Sequence, residues 1–256
     1  MIGNLFTIFR RTFPEPSHTF LERPDGTTQS YGDILDISGR LAEVLIELGV
    51  RPGDRVAAQV EKSAEALMLY LGTLRAGAVY LPLNTAYTAA EVRYFLGDAE
   101  PMLFVCRPEL GERLAGIAAE VGVRKVETLG ERQEGSLMQR ISAAAPRFED
   151  APRGADDLAA ILYTSGATGR SKGAMLTHRN LASNAQALAE TWRFTGDDRL
   201  LHALPIFHSH NLFVATNVVL SVGASLILLP RFDADEILRL SGWNLPPLVI
   251  RAVWAH

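Results

Sequence analysis

The sequence has a single cysteine, no uninterrupted apolar run long enough to span a membrane, and no excess of positive charge. Cys106 is that cysteine among 256 residues, and one thiol supports neither a disulfide framework nor a paired-thiol metal site. We therefore expect a protein of a reducing compartment. The formal net charge is −4 with scattered Lys and Arg, so nucleic acid is not an expected partner.

Targeting and membrane-spanning segments are also not evident. The longest apolar candidate, residues 214–229, is interrupted by Asn217, Ser221 and Gly223. The first residues, MIGNLFTIFRRTF, have apolar spacing typical of a helix but lack the basic region, long apolar core and cleavage site of a signal peptide. These observations predict a packed first helix in a cytoplasmic protein.

Helical and strand patterns alternate along the chain, which predicts an α/β fold of layered, mostly parallel sheets with flanking helices. Ser30 with Asp33, and Thr88 with Glu91, have the spacing of capping boxes at helix starts. Apolar runs predict the three strands of a βαβαβ series at residues 56–60, 78–83 and 102–106. A content of 48% hydrophobic residues is enough for a large core.

The pattern divides the chain into three parts. Residues 1–150 are predicted to form an N-terminal α/β subdomain, and 151–240 a second, incomplete subdomain that begins with a strand at 158–163. The segment 130–157 is rich in polar residues, Pro and Gly, which predicts a surface connection. Residues 241–256 are a divergent tail, in which Pro246 and Pro247 disfavour a helix or a central strand.

The most informative segment is YTSGATGRSKG, residues 163–173, which follows the strand at 158–163. Glycines allow backbone N–H groups to point at an anion, hydroxyls add donors, and a lysine supplies positive charge. Alone, such a loop is more often a glycine-rich turn with a solvated lysine. The candidate phosphate-binding residues are Thr164, Ser165, Gly166, Ala167, Thr168, Gly169 and Lys172.

Two other nucleotide-binding loops do not fit this segment. A Walker A loop places Gly directly before Lys and a hydroxyl directly after it, whereas Ser171 precedes Lys172 and Gly173 follows it. The dinucleotide pattern GxGxxG is absent as well. A kinase, a GTPase and a dehydrogenase are therefore disfavoured.

The segment instead resembles the signature loop of the acyl-adenylating superfamily, which includes acyl-CoA synthetases, luciferases and peptide-synthetase adenylation domains. LPIFHSHNLF at 204–213 resembles that family's second motif, and RAGAVYLPLN at 75–84 its opening domain. The resemblance extends from about residue 5 to about residue 240. Residues 59–62, 84–87 and 156–172 are most similar to malonyl-CoA synthetases.

The resemblance implies ATP, Mg²⁺ and coenzyme A as cofactors or co-substrates, and a small carboxylic acid, with malonate preferred. A carboxylate would attack the α-phosphate of ATP to give an acyl-adenylate, and the CoA thiol would then displace AMP. His208 matches the family's motif histidine beside the acyl pocket and is the candidate catalytic residue. His210 either donates to a distal carboxylate or has a local partner, and His202 is interpreted as a packing residue.

Three departures from the family pattern matter. Ala167 replaces a usual Ser or Thr and removes one donor, and Asn211 stands where Gly is usual, so its side chain either crowds the acyl pocket or is simply tolerated. After residue 240 the family register is lost, and the acidic Mg²⁺-linked motif, the ribose-binding Asp and the C-terminal domain are not recognisable. We expect an impaired or inactive fragment that self-associates through uncovered apolar edges. A non-catalytic phosphate- or partner-binding remnant is the alternative.

Overall fold

A computed structural model of the chain describes residues 3–146, 149–164 and 171–241. The strands are β1 (Thr19–Glu22), β2 (Thr28–Ser30), β3 (Arg55–Gln59), β4 (Val79–Pro82), β5 (Leu103–Cys106), β6 (Val126–Thr128), β7 (Leu158–Thr164), β8 (Lys172–Thr177), β9 (Arg199–His202) and β10 (Ser225–Leu228). The α-helices are α1 (Leu5–Arg10), α2 (Tyr31–Glu47), α3 (Ala64–Arg75), α4 (Ala89–Ala99), α5 (Gly111–Glu120), α6 (Ser136–Ala143), α7 (His178–Trp192), α8 (Asn217–Val222) and α9 (Ala234–Ser241). A π-helical segment, His210–Thr216, precedes α8.

The strands form two sheets. The larger has the order β6-β5-β3-β4-β7-β8 and is parallel except for β8, which runs antiparallel to β7. The smaller has the order β2-β1-β10-β9, with β1 parallel to β10 and β10 parallel to β9. The predicted α/β class and the βαβαβ series through β3, β4 and β5 are confirmed.

Local sequence signals determine where the helices begin. At the start of α2, Ser30 Oγ accepts from the Asp33 N–H (3.1 Å), while the Asp33 carboxylate accepts from the Ser30 N–H (2.7 Å). Thr88 and Glu91 make the same reciprocal pair before α4. Each pair satisfies N–H groups that a helix start leaves without an intrahelical acceptor, so both predicted capping boxes are confirmed.

Helix α3 is buried on every side. All twelve of its residues are buried, including the apolar stripe Leu67, Leu71 and Leu74. Helix α2 approaches it closely at Gly72, where an added Cβ would lie 2.6 Å from Leu41 Cβ. A side chain at position 72 would therefore force the two helices apart.

A buried ion pair lies at the end of α3. The Arg75 side chain is fully buried, and its Nε donates to Asp150 Oδ1 at 2.8 Å. Its Nη1 donates to the Leu35 carbonyl (2.7 Å) and to Ser38 Oγ (3.0 Å), and the Phe6 ring lies 4.8 Å from its Cζ. The positive charge is thus offset by a carboxylate, carbonyl and hydroxyl oxygens and an aromatic face.

The prediction that residues 130–157 form only a surface connection is wrong, because they include α6. This helix buries Leu137 and Ile141, and it packs against α2. Its start has no side-chain cap, since Gly135 occupies the N-cap position with φ +107°, so no capping pattern indicates it. Both sheets contain strands from both sides of residue 150, and the division into 1–150 and 151–240 stays a prediction.

His178 connects the start of α7 to the start of α1. It is the first residue of α7, and its buried ring accepts the Leu5 N–H at Nδ1 (3.0 Å). Burial, together with the positive charge of nearby Arg153, lowers the pKa of His178 to about 4. The imidazole is therefore neutral near pH 7 and serves as a hydrogen-bond acceptor for α1.

Across the three described ranges, no helix is long and apolar enough to cross a membrane. The predicted tail from residue 242 onward lies outside those ranges.

Replacing the carboxylate of the buried ion pair is expected to destabilise the protein. Asp150→Ala removes the charge that compensates buried Arg75, and should lower the free energy of unfolding by about 3–5 kcal/mol in urea denaturation. The matched control is Asp156→Ala, which breaks an ion pair with Arg179 whose side chains are 79% and 61% exposed. The control should change stability far less, and equal losses would contradict this account.

His178 should make stability depend on pH. The pKa of histidine is about 6.5 in the unfolded chain and about 4 in the folded one, so the unfolded state binds more protons between these values. The free energy of unfolding should therefore fall by about 3 kcal/mol as the pH drops from 6.5 to 4. His178→Asn retains an acceptor but does not titrate, and should remove this contribution in urea unfolding at several pH values. Parallel pH curves for the two proteins would contradict the prediction.

Candidate functional site

Two of the predicted phosphate-binding residues face each other across a β-hairpin. Thr164 ends β7, Lys172 begins β8, and the two are direct partners in the antiparallel ladder. Both are exposed. The other candidates between them, Ser165, Gly166, Ala167, Thr168 and Gly169, lie outside the described residues. The hairpin therefore brings a hydroxyl-bearing and a cationic residue to opposite sides of its base.

The hairpin base lies at the carboxyl edge of the larger sheet. Strands β3, β4 and β7 are parallel neighbours, so Gln59 at the end of β3 and Thr164 at the end of β7 lie at the same edge. Gln59 Nε2 donates to the Asn84 carbonyl at 2.9 Å, which joins the segments 59–62 and 84–87. In open α/β sheets, ligands bind at this carboxyl edge.

His208 and His210 follow a strand of the other sheet. His208 is exposed in the loop after β9, with its ring centroid 4.4 Å from that of Phe207. His210 is partly buried and is the first residue of the π-helical segment. Such segments are rare and frequently occur at functional sites.

The side chain of Asn211 is buried in a polar network. Its Nδ2 donates to the Leu204 carbonyl and lies 3.2 Å from His202 Nδ1, while the Asn211 backbone carbonyl accepts from Thr216 Oγ1 at 3.1 Å. With Nδ1 as an acceptor, His202 carries its proton on Nε2, which lies 3.1 Å from both the Asn211 carbonyl and Thr216 Oγ1. This geometry gives the Asn211 side chain a structural role in the interior, which neither of the two sequence interpretations included.

Lys62 extends this network to the larger sheet. Its side chain is buried, and Nζ donates to the His202 carbonyl at 2.5 Å. Burial holds the pKa of Lys62 well below its usual value. Burial and the nearby Lys62 charge likewise hold the pKa of His202 well below its usual value, so the imidazole is neutral. The end of β3 is thereby tied to the end of β9.

Sequence reasoning missed this network. His202 is interpreted there as a packing residue and Lys62 has no role of its own, because Lys62 meets its partner 140 residues away and the contacts of His202 depend on the backbone conformation of the segment that follows β9. The only available signal was the position of His202 two residues before the motif at 204–213. Among the described residues, no group of three or more His, Cys, Asp or Glu side chains could hold a metal ion.

The carboxyl edge of the larger sheet, where ligands bind in open α/β sheets, thus carries the segment that resembles the signature loop of the acyl-adenylating superfamily. The chain belongs to the AMP-binding enzyme family, whose sequence profile matches residues 9–248. The resemblance inferred from the motifs is therefore confirmed.

Several relatives are similar over most of this chain. Crystal structures of apo and ATP-bound MatB from Rhodopseudomonas palustris are 54% and 55% identical, with a TM-score of 0.90, and each match covers 94% of this chain and 48% of MatB. Malonate–CoA ligase from Arabidopsis thaliana is 30% identical over 93% of this chain and 42% of its own length. The N-terminal domain of FACL13 from Mycobacterium tuberculosis is 31% identical, with a TM-score of 0.82, over 93% of this chain and 59% of that domain.

The chain thus spans about half the length of the full-length relatives it matches. Its likeness to the FACL13 N-terminal domain assigns the described residues to the N-terminal part of this fold.

The Asn211 network should contribute measurably to stability. Asn211→Ala leaves the Leu204 carbonyl and His202 Nδ1 without the amide that contacts them, and should lower the free energy of unfolding by about 1–3 kcal/mol. Ser209→Ala, at an exposed neighbouring position, is the control and should have little effect. Urea denaturation of both variants provides the measurement, and equal stability of the two would rule out the proposed contribution.

Proposed function

We propose that this chain provides the N-terminal part of the active site of an ATP-dependent acyl-CoA ligase whose acid is malonate. The observation that carries the proposal is the hairpin that places Thr164 opposite Lys172 on either side of the sequence SGATGRS. The similarity to MatB, for which an ATP-bound structure exists, supports the nucleotide. The similarity to a malonate–CoA ligase supports malonate as the acid.

In the proposed reaction, the hairpin holds the β- and γ-phosphates of ATP. Lys172 neutralises phosphate oxygens, and the Thr164 hydroxyl donates to them. The acid carboxylate attacks the α-phosphorus, pyrophosphate leaves, and the acyl-adenylate then reacts with the thiol of coenzyme A, which displaces AMP. Charge stabilisation by positioned donors is the main contribution of such a site. Mg²⁺ would neutralise phosphate charge, and no described residue is assigned to it.

His208 and His210 are proposed to act on the acyl side of the site. The exposed ring of His208 can orient the reacting carboxylate, which makes it the catalytic candidate. His210, at the start of the π-helical segment, can donate to the second carboxylate of a dicarboxylic acid. The buried network of Lys62, His202 and Asn211 would hold this segment in place without contacting the substrate.

The test is pyrophosphate release from ATP by the purified chain with malonate, methylmalonate, acetate or no acid, alongside ATP binding by calorimetry. Malonate-dependent release would support the ligase. Release without acid would indicate a nucleotide hydrolase. ATP binding without release in any mixture would support the alternative, a non-catalytic phosphate-binding protein.

Lys172→Ala should weaken ATP binding by about tenfold, which corresponds to about 1.4 kcal/mol, because it removes a charge-assisted contact to phosphate. Lys125→Ala, which removes a lysine that donates to the Leu48 carbonyl, is the control and should leave ATP affinity unchanged. Equal affinities for wild type and Lys172→Ala would exclude Lys172 from the phosphate site.

A further inference from the structure

Helix α4 packs against the base of the glycine-rich hairpin through a cluster of aromatic rings. The Phe95 ring centroid lies 4.5 Å from that of Tyr163 in β7 and 4.6 Å from that of Tyr87. The Tyr94 ring lies 6.5 Å from the same Tyr163 ring. Tyr163, the residue directly before Thr164, is therefore held among aromatic side chains on or just before α4.

Two hydrogen bonds connect α4 to both arms of the hairpin. The Tyr163 hydroxyl in β7 donates to Asp98 Oδ2 at 2.5 Å, and the Tyr94 hydroxyl donates to the Ser171 carbonyl, next to β8, at 2.9 Å. Tyr94 and Asp98 are four residues apart, so they lie on the same face of the helix. One helical face thus contacts the residues adjacent to Thr164 and to Lys172.

The residues that α4 contacts are close to the paired positions of the two hairpin strands. Tyr163 is paired with Gly173, and Thr164 with Lys172. A Cβ at position 173 would lie 3.0 Å from Ile161 Cγ2 and 3.6 Å from the Tyr163 ring, so a side chain there would crowd this side of the hairpin. The contacts that α4 makes with Tyr163 and Ser171 therefore lie one residue from the paired Thr164 and Lys172.

The chemistry of Tyr163 supports its role as a donor. Burial and the neighbouring Asp98 carboxylate raise the pKa of Tyr163. The hydroxyl consequently remains protonated at neutral pH and can donate to Asp98.

We propose that Tyr94 and Asp98 are positioning residues, which fix the separation and orientation of Thr164 and Lys172 before a phosphate ligand binds. The inference rests on the proposed function, because it takes the hairpin base as part of a phosphate site. Donors that are already ordered bind more tightly, since the ligand does not have to offset the entropy lost in ordering them. Neither residue contacts the ligand in this proposal.

Because Tyr94 and Asp98 lie at the surface, an effect of their replacement on phosphate binding can be distinguished from a general loss of stability. Tyr94 is 38% exposed and Asp98 is also exposed, so loss of either hydrogen bond should change global stability little. The matched control is Tyr31, whose fully buried hydroxyl donates to the Ala224 carbonyl at 2.6 Å, far from the hairpin in the chain. Tyr31→Phe removes the same kind of hydrogen bond and should lower Tm without changing phosphate binding.

The experiment measures binding of ATP and of inorganic tripolyphosphate by calorimetry, together with Tm, for the full chain and its variants. Tyr94→Phe and Asp98→Ala should each weaken the binding of both ligands by about three- to tenfold, with little change in Tm. Asp98→Asn should bind both ligands about as tightly as wild type, since the amide oxygen of the new side chain can still accept from the Tyr163 hydroxyl. Unchanged affinity in both Tyr94→Phe and Asp98→Ala would overturn the proposal.

Amide hydrogen exchange separates failure of this inference from failure of the proposed function. If the wild-type chain binds neither ligand, the phosphate site itself is refuted. Even in that case, if α4 positions the hairpin, Tyr94→Phe and Asp98→Ala should accelerate amide hydrogen exchange in β7 and β8. Tyr31→Phe should not accelerate it there. Equal exchange rates in those strands for wild type and all variants would overturn the positioning role by itself.

Discussion

Burial of helix α3 on all sides is the constraint that the rest of the structure satisfies. A helix without a solvent face needs packing partners in every direction, and its polar groups need partners that come from distant segments. Arg75 at its end meets Asp150, Tyr70 in its middle donates to Asn217 Oδ1 at 3.1 Å, and Lys62 just before its start donates to the His202 carbonyl. The two sheets and the motif segment after β9 are thereby held in one arrangement around a single helix.

The sequence could predict those parts of the fold that depend on neighbours along the chain. The capping boxes at Ser30 and Thr88 predict the starts of α2 and α4 to within one residue, because the two residues of each box are only three positions apart in sequence. Helix α6 was missed because its N-cap, Gly135, gives no side-chain signal. The full burial of α3 could not be foreseen either, since its surroundings come from segments far apart in sequence.

The candidate site also contains residues that the sequence predicts and residues that it does not. The motif indicated Thr164 and Lys172, and the ladder between β7 and β8 brings them opposite each other. His202 and Asn211 were given no joint role, because their shared hydrogen bonds depend on the π-helical backbone that begins at residue 210. The contacts of Tyr94 and Asp98 with the hairpin were equally invisible, since these residues belong to no motif and meet it only through packing.

The topology of the smaller sheet also has a consequence for synthesis on the ribosome. Strand β1 lies between β2 and β10, and Leu21 pairs with Leu226 about 200 residues later. At about 5–20 residues per second, roughly 10–40 s pass between the emergence of the two strands. During that interval β1 and β2 lack the parallel partner β10 and form a two-stranded hairpin, which is marginal alone and depends on packing against α2. β3, β4 and β5, by contrast, can pair as they emerge, so β1 waits for its parallel partner much longer than the central strands of the larger sheet do.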